Sequence, residues 1–246
     1  MWWKISGSVL LLAVIIGLVF NVIQIRNLKT TQIETNIRST QTNQFLLSTI
    51  NWSTQRQKIL LFMRDQIVQE WTRLNITPIN YDKAYQKAEA IMKECERYPN
   101  LKPFLLLAVC KRESSYLDST KDSSNTSRVI TSTRGARGAW QFVPSTARLL
   151  CEALGISYSD KIYTDISTST RMAAKYFDIL WASYENDTLS IADYNGGPSQ
   201  AWYYAHDRSR VSPETSAFIP GVLGYYDEFN KDFVLYRVDK TIGNTR

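Results

Sequence analysis

The chain has 246 residues, 44% of them apolar and 12% aromatic, enough to bury a core in one large or two small domains and too apolar for wholesale disorder. A formal charge of +6 favours a polyanionic neighbour, whether nucleic acid, anionic lipid or an acidic cell-wall polymer, without choosing among them. Cys95, Cys110 and Cys151 form no Cys-x-x-Cys pair and His206 has no Cys or His cluster near it, so neither a metal site nor a disulfide framework is indicated and no cofactor is expected.

From Ile5 to Ile25 no charged residue occurs, and such a run reaches the roughly 20 residues a helix needs to cross a bilayer. Trp2 and Trp3 sit where interfacial aromatics belong, and no small-x-small cleavage pattern follows the run, which predicts an uncleaved transmembrane anchor over residues 1–26. Lys4 on one side faces Arg26, Lys29 and Arg38 on the other, so flanking charge leaves the orientation open. Residues 27–78 are rich in Gln, Thr, Asn and Ser, with no Gly and no Pro before Pro78, and read as a polar helical stalk. Inside that stretch Ile59, Met63, Ile67 and Trp71 recur every four residues, with Leu60, Val68 and Leu74 beside them. This single apolar stripe predicts packing against the next domain, or self-association of the stalk.

Residues 79–230 carry the signals of a helical domain. Tyr81, Ala84, Tyr85, Ala88, Ile91, Met92 and Cys95 keep the 3–4 spacing of an amphipathic helix that ends near Pro99. Pro103 then opens a helix that is apolar on every side from Phe104 to Cys110, which places it inside the domain. Its last turn holds Glu113. Burial and the negative end of the helix dipole both raise the pKa of a carboxyl there, which suits a proton donor at neutral pH; an ion pair with Lys111 or Arg112 is the competing explanation for such a residue. A polar loop spans Ser119–Ser132, with room for a short β element. Gly135 and Gly138 then permit a tight turn before a helix opened by Pro144. Arg171–Trp181 reads as an amphipathic helix, and Ile191–Pro198 as a helix brought to an abrupt stop. The tail, 231–246, includes Phe233, Val234, Leu235 and Tyr236 and either folds back on the domain or pairs with a partner.

In order and spacing these segments resemble the catalytic domain of soluble lytic transglycosylases, relatives of goose-type lysozyme. That family has an apolar helix ending in Glu-Ser, then Gly-Ala-x-Gly-Leu-Met-Gln-x-x-Pro-x-Thr-Ala, Ala-Tyr-Asn-Ala-Gly-Pro, and Glu-Thr-x-x-Tyr-Val leading to Tyr-Tyr. The matching residues here are Glu113-Ser114, Gly138 to Gln141 with Pro144 to Ala147, Tyr194 to Pro198, Glu214 to Ile219, and Tyr225-Tyr226. The resemblance covers about residues 100 to 230 and implies an all-α or nearly all-α, lysozyme-like domain with a substrate groove. It also implies Glu113 as the catalytic acid and base, with Ser114, Gln141, Tyr194, Asn195 and Glu214 binding substrate. For Gln141 and Asn195, capping or turn stabilisation competes with that role. Two departures stand out: the segment between Glu113 and Gly138 is longer than the family usually shows, and Phe218 replaces a tyrosine. Asp193 stands where the family commonly has alanine and is expected to face solvent.

The resemblance implies peptidoglycan glycan strands as the partner and cleavage of the bond between N-acetylmuramic acid and N-acetylglucosamine, giving a 1,6-anhydro product. Because peptidoglycan lies outside the cytoplasmic membrane, the amino terminus is expected in the cytoplasm and the domain on the cell-wall, periplasmic side. Lysozyme-type hydrolysis stays open, with Asp118, Asp122 and Asp193 as candidates for a second carboxylate. So does a non-catalytic glycan-binding module of an envelope-spanning, secretion-system or virion assembly. Nucleic-acid binding lacks any supporting motif.

Overall fold

The computed structural model describes residues 51–121 and 127–243, together with 32, 38–44 and 48–49. The anchor expected over residues 1–26 lies outside them. Among the described residues no helix is long and apolar enough to cross a membrane. Two compact units divide the chain at residues 56 and 57. Every described residue of the first is helical, and residues 38–44 are exposed.

The second unit opens on α1 (residues 57–73), the stretch whose composition resembles a stalk. Its apolar stripe is buried: Leu60, Met63 and Ile67 are fully covered and Trp71 nearly so. After a turn come α2 (Tyr81–Arg97) and α3 (Pro103–Ser114). Asn80 caps α2 by accepting from the Lys83 amide at 2.8 Å, and Pro103 opens α3, where a missing N–H costs nothing. Phe104 through Cys110 are all buried, so α3 is the central helix of the unit, as its unbroken apolar run predicts. α2 and α8 (Pro213–Gly243) pack on it.

The polar loop forms a two-stranded antiparallel ribbon. β1 (Ser119–Lys121) pairs with β2 (Ser127–Val129), and Thr120 lies opposite Arg128. Beyond it are α4 (Pro144–Leu154), α5 (Ile166–Tyr184), α6 (Asp187–Gly196) and α7 (Pro198–His206), with short 3-10 turns at Asp160–Tyr163 and Arg208–Arg210. α5 packs on α2, α4 and α6, while α6 packs on α7 and α8. The described fold is thus nearly all helical. The three cysteines are free and buried.

α8 belongs to this core as far as Phe233. Phe233 meets Phe62 of α1 and Phe104 of α3, with centroids 5.3 and 5.2 Å away and edge-to-face geometry. Each of these rings, once buried, contributes roughly 1.5–3 kcal/mol. That cluster fastens both ends of the unit to α3.

Candidate active site

Glu113 lies in the last turn of α3 and is half-buried. Burial foremost, and then the Glu214 carboxylate, push its carboxyl up to about 8 against the opposing charge of Arg112. Among the described residues no hydrogen bond or ion pair neutralises it, which removes the pairing with Lys111 or Arg112 as its explanation. Lys111 instead stacks over Tyr225 at 4.3 Å and lies 3.9 Å from Glu70. Arg112 lies over the Phe218 ring at 6.0 Å, so the ring that replaces the family's tyrosine carries a cation on its face.

The backbone beyond Glu113 is held in an uncommon conformation. Ser115 and Tyr116 both have positive φ, 51° and 67°, which non-glycine residues adopt only where their surroundings impose it. Tyr116 is fully buried. Glu70 of α1, 5% exposed, takes two hydrogen bonds from Arg73, at 2.6 and 3.0 Å, and one from the Ser115 side chain. Arg73 holds the Glu70 carboxyl below its ordinary range against the opposing effect of burial, and Ser115 and Lys111 lower it further. A buried carboxylate from outside the resembling segment therefore clamps the turn that follows Glu113.

A second turn faces that helix end. At Gly138 φ is 73°, and a Cβ there would stand 2.4 Å from the Tyr163 carbonyl oxygen, so only glycine fits. Its carbonyl accepts from Gln141 Nε2 at 2.8 Å, the next carbonyl, of Ala139, accepts from the Ser114 hydroxyl at 2.8 Å, and that of Trp140 accepts from the Tyr194 hydroxyl at 2.7 Å. Three consecutive carbonyls are thus each held by a side chain, from the turn itself, from α3 and from α6. The Tyr194 ring stacks on Phe177 at 4.7 Å. Burial pushes its hydroxyl well up in pKa, and the Glu113 charge adds to this, which places the two groups in one electrostatic environment.

Asn195 accepts from the Thr215 hydroxyl at 2.8 Å. Thr215 is buried, and this bond ties the end of α6 to the start of α8, where Glu214 stands. Glu214 is exposed and pairs with Arg134 at 2.6 Å. The structure therefore gathers all six predicted site residues around the end of α3, and it engages Ser114, Gln141, Tyr194 and Asn195 in internal hydrogen bonds.

Three carboxylates differ from expectation or were not foreseen. Asp193 does not face solvent: it is 5% exposed and accepts from the Tyr184 hydroxyl at 2.6 Å and from Tyr176. Tyr184 sits nine residues upstream on another helix, a proximity that no local pattern encodes. Asp118 is buried between Lys87 at 2.6 Å and Lys83 at 3.1 Å. Glu70 was missed, although a charged residue three positions after Ile67 on an apolar stripe is itself a signal. Among the described residues no group of His, Cys, Asp and Glu could hold a metal ion.

The unit is nearly all helical and presents one raised carboxyl at the end of a buried helix, against a glycine turn. The transglycosylase SLT domain model matches residues 90–215, just over half of the chain, and the chain belongs to that family. An inactive mutant of the lytic transglycosylase Slt from Pseudomonas aeruginosa is similar over 58% of this chain and 24% of its own length, at 18% identity and a TM-score of 0.48. The 70 kDa soluble lytic transglycosylase of Escherichia coli is similar over 67% and 32%, at 19% identity and a TM-score of 0.44. The chain spans a third or less of these proteins' length. No curated protein matches it.

Proposed function

We propose that this protein is a membrane-anchored lytic transglycosylase that cuts peptidoglycan between N-acetylmuramic acid and N-acetylglucosamine. One observation carries the reading: the unneutralised carboxyl of Glu113, raised to about 8 in a member of this family. Such a group is protonated near neutral pH and donates to the glycosidic oxygen as that bond breaks. The carboxylate left behind takes the proton of the sugar's own 6-hydroxyl, whose oxygen closes on C1. The product is a 1,6-anhydro ring, no water is consumed, and Glu113 returns to its starting state. Gln141 and Glu214 meet the sugar in this reading. Ser114, Tyr194 and Asn195 fix the turn and helix ends that form the groove wall.

Hydrolysis asks for a second carboxylate. Asp118 and Asp193 are engaged, the first by two lysines and the second by two tyrosines, which favours the single-carboxyl route; Asp122, the third candidate, lies outside the described residues. A pure binding module has no use for a raised acid.

Glu113→Gln keeps the side chain's shape and loses its proton, so release of soluble fragments from cell-wall sacculi should fall by 10²–10⁴-fold or more, roughly the contribution of acid-base catalysis, with sedimentable binding retained. Undiminished release would reject Glu113 as the acid. The anchor at residues 1–26 rests on the uncharged run from Ile5 to Ile25, and the periplasmic placement of the domain on the location of peptidoglycan outside the cytoplasmic membrane. Protease added to spheroplasts should digest the domain, and protection until lysis would overturn that topology.

A further inference from the structure

A cavity of 540 Å³ opens between the α1–α2 turn and the start of β1, lined among others by Trp71, Asn75, Ile76, Lys83, Leu117 and Thr120. Its size falls within the range of ligand sites. Trp71, Asn75, Ile76 and Lys83 lie outside the segment that matches the family model, so the cavity belongs to this chain's own elaboration of the fold.

Two features mark it as built to receive something. Trp71 is 4% exposed, and its indole N–H has no acceptor among the described residues, a costly condition for a buried donor unless a bound group completes it. Lys83, on the cavity wall, shares the buried Asp118 with Lys87. Among the described residues two ammonium groups against one carboxylate leave one positive charge in excess, and Lys87 is buried whereas 38% of the Lys83 side chain is exposed. The excess charge is therefore offered at Lys83. A ligand for this cavity carries a carboxylate for Lys83, amide groups for Asn75 and the indole N–H, and small apolar groups for Ile76 and Leu117.

Position supplies the connection to the proposed reaction. Leu117 follows Glu113 by four residues, so their backbones stand no further apart than about 14 Å, the extended reach of that much chain. A tetrapeptide stem hanging from the muramic acid ring has the same reach, with carboxylates and amides along it. We infer that this cavity binds the peptide stem of the strand being cut, with Lys83 taking a stem carboxylate, so that the enzyme reads peptide as well as sugar. The inference rests on the proposed function for the identity of the strand, but the cavity's binding is tested without any cleavage.

The probe is a free, sugarless tetrapeptide stem, titrated calorimetrically into the full-length protein beside the same peptide with amidated carboxyls and a stem-free disaccharide. The wild type should bind the free stem at least tenfold more tightly than the amidated one. Lys83→Gln should remove that difference while leaving disaccharide binding unchanged. Asp118 keeps Lys87 in this variant; should it still fold poorly, Thr120→Tyr, at an exposed position of β1, blocks the cavity instead and should weaken the free stem alike. On stem-bearing strands Lys83→Gln should raise KM with kcat unchanged, and on stem-free strands change neither. Equal binding of free and amidated stems, or free-stem binding indifferent to both variants, overturns the inference even if cleavage proceeds. Stem binding that depends on Lys83 in a protein that cuts nothing would uphold the cavity and sink the proposed function alone.

Discussion

Glu113 is held in a state that helps chemistry and harms stability. Its carboxyl sits at about 8 in the folded protein against about 4.3 in an unfolded chain, so between those values the folded state binds more protons than the unfolded one. Stability from this residue therefore falls as pH rises from about 4 to 8. Glu113→Gln escapes that penalty: its melting temperature should match the wild type near pH 4 and exceed it by on the order of 10 °C at pH 8, at about 1.4 kcal/mol per pH unit and roughly 2–4 °C per kcal/mol. A difference independent of pH would contradict the assignment, as would a wild-type rate that keeps rising above pH 8, where the acid has lost its proton. The carboxyl's setting was legible in the sequence because an unbroken apolar run ending in a glutamate is a local pattern. The hydrogen bonds of Ser114, Tyr194 and Asn195 were not, since their partners stand 25, 54 and 20 residues away. Asp193 was misjudged for the same reason.

Among the elements, α1 departs most from what its composition suggests. Its polar residues resemble a stalk, yet Glu70 reaches the turn after Glu113, and Leu60, Phe62, Met63 and Ile67 fill the core. The four-residue spacing showed that a face would be buried, but not against what. Glu70→Gln tests the clamp. Because Arg73 is largely exposed, the loss at pH 7 should be moderate, about 1–3 kcal/mol. Glu70 has a lowered folded pKa, so its contribution is complete above the unfolded value near 4.3 and fades as pH falls through the folded one. Urea titrations of the two proteins should accordingly converge towards pH 3. A loss that persists undiminished at low pH would mean that Glu70 acts through shape and not charge. The β1–β2 ribbon was legible only as a permitted β element, because its short polar strands show no alternation of apolar residues.

At the scale of the whole molecule, the helical class follows from spacing and the order of motifs carries the family resemblance that implies Glu113 as the acid, while the division at residues 56 and 57 depends on tertiary burial that composition does not report. In the proposed function, the single raised carboxyl and the engagement of Asp118 and Asp193 favour internal attack by the sugar over attack by water. The mass spectrum of fragments released from purified sacculi decides it. Fragments ending in an anhydro sugar, lighter by one water than hydrolysed ones and lacking a reducing end, are the predicted result; reducing-end fragments as the main product would contradict the account and make this a hydrolase.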